Sequence, residues 1–229
     1  MGAVQDLGIR LSQNYVFAFF ASLRKTFCVD IDFFTEIKKR QAAFGVDLSD
    51  ETIAQLSGYF DLVQEHNLLL HLVAPCSPAE FATRHILESL TLLEYLPHNS
   101  RFVDVGTGAG LPSIPCLIAR PDLSAVLIES KEKKVKYLES TIEKLGLSDR
   151  AEIVNKRFEE VEAEGFSIVT CRALDKFTQR FARLVKWSGK RRMLLFGGKS
   201  LRVEIERSGR KYEEKLMPLS EQRYLFLIS

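Results

Sequence analysis

Residues 102–110 read Phe-Val-Asp-Val-Gly-Thr-Gly-Ala-Gly, and Glu129 follows 19 positions after the last of these glycines. No other stretch of the chain constrains its fold as much. A short apolar run carries an acid, three glycines alternate with small residues, and the apolar segment Leu111-Pro112-Ser113-Ile114-Pro115-Cys116-Leu117-Ile118-Ala119 follows at once. That order is strand, tight loop, helix. Glycine lets the backbone turn through positive φ and lets a ligand approach the main chain closely. A second apolar run, Ala125-Val126-Leu127-Ile128, ends in Glu129. From there a carboxylate can accept hydrogen bonds from a ribose diol.

The rest of the chain extends this unit in both directions. From residue 101 onward, strand-like runs at Phe102–Val105, Ala125–Ile128, Glu152–Asn155, Ser167–Cys171 and Met193–Phe196 alternate with helical segments at Lys131–Leu145 and near Lys176–Trp187. Such alternation predicts an α/β fold, Rossmann-like, with a mostly parallel sheet and helices on both faces. Two more strands, near Lys211–Met217 and Tyr224–Ile228, suit an edge hairpin. Residues 1–98 read as an N-terminal helical extension and 99–229 as the nucleoside-binding domain. In the extension, Ser49 caps a helix with Ile53, Leu56, Phe60 and Val63 on one face. Ser77-Pro78-Ala79-Glu80 is a capping box with proline at the first helical position. The helix it starts carries Phe81, Ile86, Leu87, Leu90, Leu93 and Leu96 and stops near Pro97. Tyr15-Val16-Phe17-Ala18-Phe19-Phe20 is apolar and aromatic. It suits a cover for the domain, an exchange with a partner, or a loosely ordered arm.

Ligands of such sheets bind beyond the carboxyl ends of the strands. This groups Gly106, Glu129, Asn155 to Glu159, and Arg172 around one crevice. The glycines fall at Gly106, Gly108 and Gly110, so the pattern is G-x-G-x-G; a dinucleotide fingerprint requires its third glycine at position 111, which is Leu111. Asp104, two residues before the first glycine, suits the cationic methionine end of S-adenosylmethionine, and free main-chain N–H groups suit its carboxylate. The pattern resembles the first two motifs of Rossmann-like methyltransferases. A glycine turn without ligand and an NAD site are the competing readings of the loop alone.

Composition narrows the setting. A net charge of +2 permits nucleic-acid binding without indicating it. Cys28, Cys76, Cys116 and Cys171 are scattered, with no C-x-x-C pair, as suits reduced thiols in a cytoplasmic protein. The four histidines show no metal-ligand spacing. The apolar run Val16–Leu23 is too short to span a bilayer, and no signal peptide or membrane association is expected.

With the motifs placed, a family resemblance emerges. Arg84-His85-Ile86-Leu87-Glu88-Ser89, then Phe102 to Pro112, Ile114-Pro115 and Ala119-Arg120-Pro121 resemble the bacterial RsmG (glucose-inhibited division protein B) family of 16S rRNA guanine-N7 methyltransferases. Glu129-Ser130, Lys133 to Leu138, Arg157-Phe158-Glu159-Glu160, Arg172-Ala173 and Arg223-Tyr224-Leu225 continue it to the end of the chain. The resemblance implies S-adenosylmethionine as cofactor and 16S rRNA or the small ribosomal subunit as partner, with no obligate protein partner evident. It makes 99–229 the methyltransferase domain. It implies loop contacts to the cofactor from Gly106 and Leu111, an adenine-end pair in Phe158 and Glu159, and a crevice-mouth role for Arg172. Asp104, Gly108, Gly110 and Glu129 join them from the reading of the residues. The chain departs from the family at Ser113 (usually glycine), at His66, at His71-Leu72-Val73, at Cys171 and at Gly197-Gly198-Lys199-Ser200, where Lys199 stands in for a family lysine.

Guanine N7 carries a lone pair and attacks a sulfonium methyl without a general base, so no catalytic acid–base pair is expected and proximity carries the reaction. Arg172 is expected to position the guanine or the cofactor carboxylate, and His85 and Lys199 to lie on the RNA side; a hydrogen-bonded structural histidine is the alternative for His85. Cys171 is read as a small core residue rather than a nucleophile, and Cys116 as packing. Three basic runs, at Lys131–Lys136, Lys186–Arg192 and Arg207–Lys211, form a candidate RNA track. The substrate base would sit in a loop or be flipped out, because the major groove of duplex RNA is too narrow for an enzyme to enter. A small-molecule methyltransferase and a non-catalytic cofactor- or RNA-binding protein are the alternatives.

Overall fold

The computed structural model describes residues 30–172 and 177–229. The aromatic run at 15–20 lies outside them, as do Cys28, Ala173 and Lys176. Seven strands form one sheet in the order β3-β2-β1-β4-β5-β7-β6: β1 (Arg101–Val105), β2 (Ser124–Ile128), β3 (Ala151–Val154), β4 (Ile168–Arg172), β5 (Arg192–Gly197), β6 (Tyr212–Leu216) and β7 (Tyr224–Ile228). The first five are parallel, and β7 returns antiparallel between β5 and β6. The expected doubly covered, mostly parallel sheet with an edge hairpin is what forms.

Alternation along the strands sorts the core into two layers. Phe102, Ala125, Leu127, Ile168, Leu194 and Leu225 point to one face and Val103, Val126, Val169, Met193, Leu195 and Phe226 to the other. The first face is covered by α1 (Ile31–Arg40), α2 (Asp50–Leu70), the helical stretch at 78–95, α5 (Ser113–Ala119) and α6 (Glu132–Lys144). The helices of residues 30–95 therefore share one apolar cluster with the sheet rather than building their own. The second face is covered by α7 (Phe177–Ser188), through Phe181 and Leu184, and α8 (Lys199–Arg207), through Leu201 and Ile205.

Helix starts follow the capping residues. Asp30 accepts the Phe33 N–H at 2.9 Å and Ser49 the Thr52 N–H at 3.2 Å, each satisfying an orphan donor. Ser77 and Glu80 form the reciprocal box around Pro78. The stretch that follows is not one regular helix. It runs as α3 (Pro78–Phe81), a π-helical turn (Ala82–Leu87), α4 (Glu88–Leu90) and a 3₁₀ segment (Thr91–Tyr95). Helix α8 has no counterpart in the sequence reading. Its apolar residues Leu201, Val203 and Ile205 alternate like a strand, but only Leu201 and Ile205, one helical turn apart, are buried, and Val203 is exposed. Among the described residues, no helix is long and apolar enough to cross a membrane, and no cluster of His, Cys, Asp or Glu could hold a metal.

Candidate functional site

A crevice of about 340 Å³ opens beyond the carboxyl ends of β1, β2 and β4. Its loop wall is the chain after β1. Gly106 and Thr107 both donate their N–H groups to Ile128 O, at 2.9 and 3.2 Å, which ties the turn to β2. Gly106 (φ +69°) and Gly108 (φ +59°) line the crevice in the left-handed region, where a side chain would be strained. Leu111 adds an apolar contact surface. Gly110 has a different task. At φ +94° it does not line the crevice, and a Cβ there would stand 2.8 Å from Ile114 Cγ1, so this glycine allows α5 to pack against the loop.

Asp104 also departs from the expected contact with the methionine end. It is fully buried and outside the crevice lining. Its Oδ2 accepts from Thr107 Oγ1 at 2.7 Å and from Ser113 Oγ at 2.8 Å, so it braces the loop from beneath. Burial raises its pKa to about 7, against the lowering by the two hydroxyls, and Glu129 adds to the rise. Ser113, the residue that replaces a family glycine, is thus half of that brace.

Glu129 forms the floor. Its Oε2 accepts the Gly108 N–H at 3.2 Å and its Oε1 the Lys131 N–H at 2.9 Å. Each oxygen keeps a lone pair for a further donor. Lys134, half-buried on the same wall, has its pKa lowered by burial. Two residues that sequence reasoning did not assign to the site hold the loop tip from outside: Tyr59 Oη and Tyr137 Oη both donate to Ala109 O, at 2.9 and 3.3 Å. A buried tyrosine hydroxyl needs a polar partner, which is the one signal Tyr59 carried in sequence. His66, another departure, packs its ring 5.2 Å from that of Tyr137.

Phe158 and Glu159 line a small adjoining cavity that shares Gly106, Ser130 and Arg180 with the crevice. Phe158 packs edge-on against Trp187 at 5.6 Å. Arg180, which borders both cavities, was also not singled out in sequence.

The opposite wall is the π-turn and Arg172. Arg172 donates to the main-chain oxygens of Arg84 and His85, to Ser89 Oγ at 3.1 Å and to Glu88 Oε2 at 3.2 Å, and lies 5.4 Å from the Phe196 ring centroid. The π-turn thus presents two carbonyls to one guanidinium. His85 lines the crevice with its Nδ1 buried and, among the described residues, without a hydrogen-bond partner. Burial, and then Arg172, Arg84 and Arg223, push its pKa down to about 3, so the ring is neutral at physiological pH. Cys171 points into the apolar cluster under α7 and α8 and Cys116 is fully buried beside Ser89 O, so both serve packing.

Lys199 does not line the crevice; it starts α8 next to the β6–β7 turn, since Gly197 pairs with Tyr224. Of the three basic runs, Lys131 and Lys134 border the crevice. Arg192 and Lys211 flank the other end of the sheet, where β5 begins and β6 starts, and Arg210 reaches Gly189 O there at 2.8 Å. The candidate RNA track is therefore split between two ends of the sheet.

Comparison with known proteins bears on the family and the fold. A family model described as rRNA small subunit methyltransferase G matches residues 52–222. The ribosomal RNA small subunit methyltransferase G of Yersinia enterocolitica is 41% identical over 123 residues, covering 54% of this chain and 59% of that protein, less than two thirds of its length. Its counterpart in Sorangium cellulosum is 33% identical over 199 residues, covering 82% of this chain and 79% of that one. Among solved structures, a SAM dependent methyltransferase from Aquifex aeolicus superposes with TM-score 0.52 at 16% identity, covering 66% of this chain and 93% of that one. The human methyltransferase 10 domain containing protein does so with TM-score 0.52 at 14% identity, covering 76% and 97%. These two likenesses concern the fold. With most of its length matched by the family model, the chain belongs to the rRNA small subunit methyltransferase G family.

Proposed function

We propose that this chain transfers a methyl group from S-adenosylmethionine to N7 of a guanine in 16S ribosomal RNA, acting in the cytoplasm. The observation that carries the reading is the loop wall: Gly106 and Gly108 lie open to a crevice whose floor is a carboxylate with accepting capacity left on both oxygens. This chemistry fits the cofactor. Glu129 would hold the ribose diol, Gly106, Gly108 and Leu111 would border the methionine end, and Phe158 and Glu159 would flank the adenine. Asp104 would act at one remove, through the loop it braces.

The cofactor supplies an electrophilic methyl on a positive sulfonium. The chain has to orient the acceptor and exclude water. The apolar residues Leu72, Val73 and Leu111 line the crevice near His85 and would keep the site dry around a base. A neutral His85 cannot repel the sulfonium, and with Nδ1 buried its Nε2 is the ring nitrogen left to meet a base edge, as donor or as acceptor. No residue has to take a proton, because N7 reacts through its lone pair; holding the reactants in line provides the acceleration.

The test is transfer of labelled methyl from the cofactor to unmodified 16S rRNA or to small ribosomal subunits, followed by digestion and mapping. Label on a guanine N7 is the expected result. Cofactor binding with no label on RNA in either form would overturn the reading.

A further inference from the structure

Three arginines gather at the π-turn wall with one carboxylate among them. Glu88, 2% exposed, takes Arg172 on Oε2 at 3.2 Å and Arg223 on Oε1 at 2.7 Å. Arg84 lies in the π-turn, where its main-chain oxygen serves Arg172 while its side chain is exposed and in no ion pair among the described residues. Three positive charges against one negative leave an excess of two. The ring they surround, His85, is held neutral by burial and by these same arginines, so it offsets none of that excess. Lys199 adds to the positive edge: the β5–β7 register sets Gly197 opposite Tyr224, and a Cβ on Gly198 would lie 3.1 Å from Gln222 O, which brings the start of α8 against the Arg223 turn.

The three arginines are not equally available. Arg172 has its guanidinium engaged by four acceptors and is 13% exposed at its side chain. Arg223 is 39% exposed while fixed by Glu88. Arg84 is exposed. A guanidinium presents a planar fork that matches a phosphate, and one already fixed by a carboxylate loses little freedom on binding. An excess of positive charge beside an open crevice raises the local concentration of anions.

We infer that Arg84 and Arg223, backed by Arg172, form a phosphodiester-binding site that grips the RNA backbone beside the base entering the crevice. This rests on the RNA reading above. It gives the π-turn wall a substrate role separate from the cofactor loop, and it makes Glu88 the counter-ion that aims two of the arginines.

The experiment measures affinity for unmodified 16S rRNA at several salt concentrations, with cofactor affinity and methyl transfer in parallel. Arg84→Gln carries the test, because it leaves the main-chain oxygen with Arg172 and breaks no ion pair. Arg223→Gln and Arg84→Lys accompany it. Arg84→Gln should weaken RNA binding about tenfold and flatten the slope of log affinity against log salt by roughly 0.7 to 1. Arg84→Lys should keep most of the slope, and cofactor affinity should stay unchanged. RNA affinity and slope equal to wild type in Arg84→Gln, or a loss that falls on the cofactor instead, would overturn the site. If the wild type methylates RNA while Arg84→Gln binds it normally, the site alone fails. If the wild type neither binds nor methylates RNA, the RNA reading fails and the site with it.

Discussion

The loop wall of the crevice is main chain from one short stretch with Glu129 at its floor, whereas the arginine wall and its rim are side chains drawn from the π-turn, the end of β4 and the β6–β7 turn. The loop wall presents open main chain and a carboxylate to whatever binds; the arginine wall presents excess positive charge. The first is shaped for a small ligand that lies along a backbone, the second for a polyanion at the rim. The difference teaches that one crevice can be legible in sequence on one side and hidden on the other, because only one side is local.

Variants can break or sharpen this contrast. The largest effect should come from the buried acid beneath the loop. Asp104 has a folded pKa of about 7 against an ordinary 3.8. The folded chain therefore keeps a proton that the unfolded chain releases, and stability from this group is full below pH 4 and lost as pH rises through 7. The drop should be on the order of 4 kcal/mol. Urea unfolding of wild type and Asp104→Asn across this range checks it: the variant should lack that component of the pH slope, and parallel curves would show that the loop is not braced by a buried acid.

On the arginine wall, Glu88→Ala leaves Arg172 largely buried and without its carboxylate. Breaking a pair of this kind should cost about 3 kcal/mol, read as a lower denaturation midpoint with an unchanged m-value. An unaltered midpoint would mean that main-chain oxygens, not Glu88, hold the wall together. The smallest effect is expected at the loop tip. Tyr59→Phe removes one of two donors to Ala109 O and should cost about 1 kcal/mol of stability. A much larger loss would make the tyrosine clamp, rather than the Asp104 brace, the main support of the loop.

The sheet, the hairpin and the loop were readable because each is a pattern of near neighbours: alternating apolar runs, a capping box, glycines two apart. Glu129 was readable because the strand after the first helix ends at a fixed distance from the loop. Gly110 and Asp104 were assigned to the ligand in sequence but serve packing and bracing, since sequence shows that a residue lies near a loop and not which way it faces. Helix α8 was missed because Leu201, Val203 and Ile205 satisfy a period of two as well as a turn of helix. Arg84 and Glu88 were visible only as parts of one short anchor, and Arg223 as part of another. Nothing local joins residue 88 to residue 223; the return of β7 alongside β5 does. The basic runs misled in the opposite direction, since charge adjacent in sequence came apart on the two ends of the sheet.

The central claim is that the two walls hold different partners, and paired titrations of cofactor and 16S rRNA on Glu129→Ala and Arg84→Gln test it most directly. Glu129→Ala removes the acceptor proposed for the ribose diol and should weaken the cofactor roughly 100-fold while RNA affinity changes little. Arg84→Gln should do the reverse, with RNA weakened about tenfold and the cofactor unaffected. Loss of the same partner in both variants would contradict the account.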